Sequence, residues 1–256
     1  MPLYQKQKQG SILDDNEVLI KSKKRVQQHG EVFTPKAIVD AMVTLPGLDE
    51  VITQPATTVL EPAAGEGAFL VNILERRLSI LAEQFSDDLV RFENFSLLAI
   101  SSLYGIELLN DNLKKCVINL FVTFHDFYKD FAAKFDQQPK SNVEESAKML
   151  IITNIVQGDF LKRTTVSDSP IVFSEWAPIR LTKTTKHINV IRTEYTLQEI
   201  FQKVKREPGS VYTPIPKTEQ LGLFEQQAVL PIVPIFKYLP TPITEVYKET
   251  REEIIE

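Results

Sequence analysis

The segment Leu-Glu-Pro-Ala-Ala-Gly-Glu-Gly-Ala-Phe-Leu, residues 60–70, constrains the fold of this chain more than any other. It closes a short β-prone run, Thr57 to Leu60, and opens Ala68 to Gln84, where apolar residues recur at helical spacing. Gly65 and Gly67 provide a turn without Cβ atoms at the carboxyl end of a strand, where backbone can approach a neighbour closely. Strand, glycine turn and helix in that order make the opening unit of an α/β sheet. Such a turn serves either simple helix-on-strand packing or the cradling of an adenosyl ligand.

The alternation continues downstream. A second helical stretch runs to about Ser101, and Leu103 to Leu108 reads as a strand. Asn110 to Phe135 has the spacing of a long amphipathic helix, Gln137 to Asn142 that of a polar loop, and Glu144 to Ile152 that of another helix. Strands are expected at Ile155 to Gln157 and Pro170 to Phe173, and upstream Thr34-Pro35 is expected to cap a helix from Lys36 to Leu45. Alternating strands and helices imply a mostly parallel, doubly wound sheet.

A chain of 256 residues, 43% hydrophobic, suffices for one main α/β domain with a small appendage. Residues 1–25 are polar and basic, ending in Lys21, Lys23, Lys24 and Arg25, and read as a flexible lead-in; 26–206 form the main domain. From Glu207 onward seven of the 15 prolines fall between Pro208 and Pro242, so 207–256 reads as an extended Pro-rich tail packed along a surface. A single cysteine, Cys116, excludes an internal disulfide framework, and three histidines leave little for metal ligation. No apolar run is long enough to span a bilayer and the first residues are too polar for a signal peptide, so a soluble cytoplasmic protein with no metal and no membrane partner is expected. The net charge of -5 gives no global basic field.

Two carboxylates extend the glycine turn into a candidate site. Glu107 stands at the carboxyl end of the second expected strand, placed to accept hydrogen bonds from ribose hydroxyls. Asp159 follows the third strand, placed to accept from an adenine amino group while Phe160 packs on the ring face.

In order, His-Gly-Glu-Val-Phe-Thr-Pro (29–35), the glycine segment (60–70), Tyr-Gly-Ile-Glu-Leu-Leu (104–109) and Asn-Ile-Val-Gln-Gly-Asp-Phe-Leu (154–161) resemble motifs X, I, II and III of N6-adenine-specific DNA methyltransferases. The order, with motif X first, is that of the group common in restriction-modification systems. The resemblance implies a class I S-adenosylmethionine (SAM)-dependent, Rossmann-like fold. It places Phe33, Thr34 and Pro35 near the methionine part of the cofactor, with Glu61, Ala63, Gly65 and Gly67 in the glycine loop. Glu107 then holds the ribose, Leu108 and Phe160 sandwich the adenine, and Asp159 bonds its amino group. Core packing is the competing role for Leu108 and Phe160.

The pattern breaks at the catalytic loop. Such enzymes carry Asn or Asp-Pro-Pro-Tyr or Phe after the fourth strand, holding the flipped base by hydrogen bonds and stacking. This chain has Ser174-Glu175-Trp176-Ala177-Pro178 instead. Ser174 is the candidate polar group and Trp176 the candidate stacking ring, with a buried structural anchor as the other role for the only tryptophan. Arg180, Lys183, Lys186, His187 and Arg192 form a basic stretch that either contacts phosphates or is a solvated face. Together these features imply a SAM-dependent adenine-N6 DNA methyltransferase of a restriction-modification or phage-defence system, reading DNA with a separate specificity or partner subunit. The Pro-rich tail, through Leu221 to Phe224 and Val229 to Leu239, is either a docking strip for that partner or a cover for the core. A non-catalytic SAM-binding subunit is the alternative, and methylation of RNA, protein or a small molecule a third reading.

Overall fold

The computed structural model of the protein describes residues 20–214 and 235–254. Most of the expected lead-in and the apolar runs at Leu221 to Phe224 and from Val229 to Pro234 lie outside them. The described chain begins with α1 (Lys23–His29), α2 (Lys36–Val43) and α3 (Asp49–Ile52). An α/β unit follows: β1 (Val59–Glu61), α4 (Ala68–Gln84), α5 (Leu89–Ser101), β2 (Leu103–Glu107), α6 (Asn110–Ala133), α7 (Ser141–Asn154) and β3 (Ile155–Gln157). Helix α1 starts three residues ahead of the expected start of the main domain at Val26, because the Ser22 side chain accepts from the Arg25 N–H and caps it.

β1, β2 and β3 form one parallel sheet in that order, with Val59 opposite Leu103 and Gly105 opposite Ile155. Side-chain alternation along the strands divides the core in two. Val59, Leu103 and Ile155 face the layer of α4 to α7, where Leu70, Leu74, Leu78, Phe92, Phe124 and Phe131 are essentially solvent-free. Leu60, Tyr104, Ile106 and Val156 face the other way and meet Ile171, Phe173 and Leu197.

The next strands correct the expectation of a continuing parallel sheet. β4 (Val172–Ile179) and β5 (Asn189–Thr196) pair antiparallel over their whole lengths and join β7 (Thr241–Pro242) in a sheet of their own. The residues expected as a catalytic loop are the body of β4. Helix α8 (Leu197–Phe201) follows β5, and β6 (Ile235–Tyr238) pairs with β8 (Arg251–Ile254). The described part of the Pro-rich segment is more than a surface tail: a 3-10 turn, Ile243–Lys248, buries Ile243 and Val246 in the helical core.

β1 has β2 on one side and, among the described residues, no strand on the other. A hollow lies on each face beside that edge. One, of about 190 Å³, is lined by Met42, Leu45, Leu48, Val59 and Phe69; the other, of about 290 Å³, by Leu60, Tyr104, Phe173, Tyr195 and Val204. No helix among the described residues is long and apolar enough to cross a membrane.

Candidate functional site

The carboxyl ends of β1, β2 and β3 converge, and the turn after β1 is fastened to the end of β2. Gly65, at φ +56°, directs its N–H to Glu107 Oε2 at 2.8 Å, and the Leu109 N–H donates to Oε1 at 2.9 Å. The Glu107 carboxylate, 7% exposed, therefore bridges the glycine turn and the start of α6. A carboxylate has about four acceptor positions, so these two backbone bonds leave capacity for hydroxyl donors. Glu61 turns back on its own loop, accepting from the Ala63 N–H at 3.1 Å.

Gly67 has a different task from Gly65. At φ +92° it heads α4, and a Cβ there would stand 2.8 Å from Cys116 Sγ on α6. It buys close helix packing and lines neither hollow described below. Burial pushes the Cys116 thiol up to about 12, so the side chain acts as a small apolar neighbour.

Two adjoining hollows flank Phe33, whose ring lies over Gly65, 3.7 Å from where a Cβ would be. The first, about 510 Å³, brings together Phe33, Ala63, Gly65, Glu107, Leu108, Asp159 and Phe160, seven of the residues expected from sequence. Leu108 is 43% exposed, which rules against core packing as its role. Phe160 both lines the hollow and leans on the second core cluster. Asp159 is partly committed to its own turn, where Oδ1 accepts from the N–H groups of Leu161 and Lys162 at 2.9 and 3.1 Å. The second hollow, about 840 Å³, is lined by Thr34, Glu61, Glu66, Phe69 and Asn119 as well as Phe33 and Gly65. Thr34 does not cap α2 as expected: the Pro35 carbonyl accepts from Ile38 and Val39, and Pro35 itself lines neither hollow.

Sequence reasoning missed a polar cluster beside Glu107. Glu31 and Asn112 line the first hollow. Asn112 Nδ2 donates to Glu31 Oε1 at 2.6 Å, and Arg25 Nη2 donates to the same oxygen at 2.6 Å. The Arg25 hydrogen bond holds the Glu31 carboxyl below its usual range against the opposing effect of burial. Lys21 pairs with Glu66 and Asp111, and Arg25 with Asp111, so these two cations are docked rather than part of a loose lead-in. The signal was present in Glu31 of the first motif and Asp111-Asn112 just after the second, but nothing local links residues 81 apart.

Ser174 and Trp176 are placed at the opposite end of the sheet. β4 runs from Ile171, which abuts Gly158 at the carboxyl end of β3, back towards the amino ends of β2 and β3. There Asn154, just before β3, accepts from the Ser174 N–H at 2.9 Å and donates to its carbonyl at 3.0 Å, and Tyr104 Oη donates to that carbonyl at 3.1 Å. Ser174 Oγ is 2% exposed in residue terms and accepts from Arg192 Nε at 2.9 Å. Trp176, 6% exposed, packs in the helical core under the Arg192 guanidinium. The five residues of β2 span roughly 13 Å and separate this region from the glycine turn. Both residues line neither cleft hollow, so their expected position on an exposed catalytic loop is corrected. The basic stretch is likewise split: Arg192 is paired with Glu194 and Glu249, and Lys186 with Asp88.

A family model described as N-6 DNA Methylase matches residues 14–172. Comparison with curated proteins and with solved structures gave no match. The matched stretch holds the whole parallel sheet and its cleft and stops at the first residue of β4.

Proposed function

The chain belongs to the N-6 DNA methylase family, and from that premise we propose that it binds SAM across the carboxyl ends of β1, β2 and β3 for methylation of adenine N6 in DNA. The observation that carries this reading is the Glu107 carboxylate, buried at the strand end, tied to the Gly65 N–H and still holding free acceptor positions. The residues fit the group: a backbone turn without Cβ, a carboxylate for ribose hydroxyls, and an exposed leucine opposite a phenylalanine for a purine.

SAM supplies a methyl group activated by its sulfonium charge. Glu107 accepts from the ribose, Leu108 and Phe160 flank the adenine, and the Asp159 carboxylate takes its amino group. Phe33 covers the glycine turn and excludes water from it, while Thr34 and Glu61 bound the neighbouring hollow, where the methionine end belongs. Pro35 acts by fixing the entry to α2. Holding donor and target in line supplies the proximity part of the rate enhancement.

Ser174 and Trp176 take no part in this reading, because both are buried at the other end of the sheet. Sequence recognition, and the groups that hold the flipped base, are assigned to a separate partner subunit within a restriction-modification or phage-defence system. The same burial favours a second reading, a SAM-binding subunit without catalytic activity of its own.

Calorimetric titration with SAM of the wild type and of Glu107→Ala, followed by labelled methyl transfer to unmethylated DNA, separates the two. Binding that Glu107→Ala abolishes, with transfer, establishes the methyltransferase. Binding without transfer favours the second reading, and a wild type that does not bind SAM overturns both.

A further inference from the structure

Asn112 is 1% exposed in the first turn of α6, at the meeting point of two carboxylates and two cations. Its Nδ2 donates to Glu31 Oε1 at 2.6 Å and stands 3.4 Å from Glu107 Oε1. Its Oδ1 accepts from Lys21 Nζ and stands 3.4 Å from Arg25 Nη2. The amide orientation follows from this surrounding, since an oxygen turned towards the carboxylates would leave the cations facing an NH2 group. Glu31 is gripped from the other side by Arg25, through Nε and Nη2.

We propose that Asn112 is a positioning residue for Glu107, and that Arg25 and Glu31 hold Asn112 in place to do so. The proposal rests on Glu107 being the ribose acceptor. Two backbone N–H groups fix where the Glu107 oxygens sit, one for each oxygen. The carboxamide adds a third donor, on the side facing Glu31, and offsets the repulsion between the two carboxylates. Glu107 can then hold its remaining lone pairs towards the hollow. Without that donor two carboxylates face each other across the gap, and Glu107 swings away from a ligand's hydroxyls.

The test measures the affinity of the full chain for S-adenosylhomocysteine and for its 2′,3′-dideoxyribose counterpart in the wild type, Asn112→Ala, Glu107→Ala and the double variant, each checked for folding by its melting curve. Wild type should prefer the hydroxylated ligand by roughly tenfold or more, the loss expected for a hydrogen bond to a charged group. Asn112→Ala should lose most of that preference, and should have no further effect once Glu107 is already alanine. A purely structural role would weaken both ligands equally and in both backgrounds, and that outcome overturns the proposal. If Asn112→Ala does not fold, Asn112→Asp is read instead: it keeps the shape and the acceptors for Lys21 and Arg25 but has no N–H for Glu107, so the preference should fall, and an unchanged preference overturns the proposal. A wild type that binds and discriminates while Asn112→Ala discriminates equally removes this proposal alone; a wild type that binds neither ligand removes the cofactor reading and this proposal with it.

Discussion

At the scale of single residues, Arg77 and the contact of Gly67 with Cys116 fix how helices meet the sheet, the first at the amino ends of β1 and β2 and the second at the head of α4. Arg77 is fully buried and donates to the carbonyls of Ile52, Ala99 and Thr57 and to Ser102 Oγ, at 2.7 to 3.0 Å. It ties α3, the end of α5 and the approach to β1 together through one guanidinium, and burial draws its pKa down to about 10. Arg77→Ala should cost about 3 kcal/mol or more, since it empties a large volume and orphans buried acceptors. Arg77→Lys should recover little of that, because an ammonium cannot reach four acceptors in one plane; thermal denaturation of both variants checks it. Gly67→Ala meets both a positive φ and the Cys116 sulfur, and should cost roughly 1 to 3 kcal/mol, with partial recovery in Gly67→Ala/Cys116→Gly read from the same melting curves.

Elements differ in how much of them the sequence disclosed. Helix α4, β3 and the start of β2 match the periodicity closely, because each is specified by contacts within itself or one turn away. Of β4 only Val172 and Phe173 fall in an expected strand, and β5 escaped the periodicity. Ser174 and Pro178 read as loop chemistry, and β5 carries Arg192 and Glu194 in mid-strand, where their mutual pairing, the Glu249 contact and hydrogen bonds with Ser174 and Tyr238 make burial tolerable. Direction is also a long-range property: nothing in residues 172–179 says that the strand runs against β1 to β3. In the cleft, the glycine turn and Glu107 were legible as local motifs, whereas Asn112 and Glu31 depend on a contact across the fold. If β4 is structural, Trp176→Ala should lower stability by about 3 to 5 kcal/mol while the folded protein keeps its SAM affinity, measured by melting and titration on one preparation. An equal loss of affinity would return Trp176 to the cleft. Helix α1 is held by ionised partners, and Arg25 keeps Asp111, like Glu31, below its usual range. Folded pKa values that are depressed contribute stability fully above the ordinary carboxylate range and lose it as pH falls through the lowered values. The α1 contacts should thus hold at neutral pH and loosen only below about pH 4, a change the Arg25 Nε resonance would report.

The molecule as a whole is a sheet covered thickly by helices on one face and more thinly on the other, with its cleft at one end and its antiparallel ribbon at the other. β1 is where this plan stays open. In a parallel pair, alternate residues point their backbone groups outwards, and those of Leu60 have no partner among the described residues. The apolar hollows on either face would each receive one set of side chains from any strand laid along it. Concentrated protein should therefore self-associate, and Leu45→Lys, which sets a charge at an exposed position of one hollow, should reduce that association in sedimentation velocity without altering the melting temperature by more than a few degrees. Among the described residues the rim of the sheet is an unfinished seam, and the self-association expected of concentrated protein is that seam being stitched by a second copy.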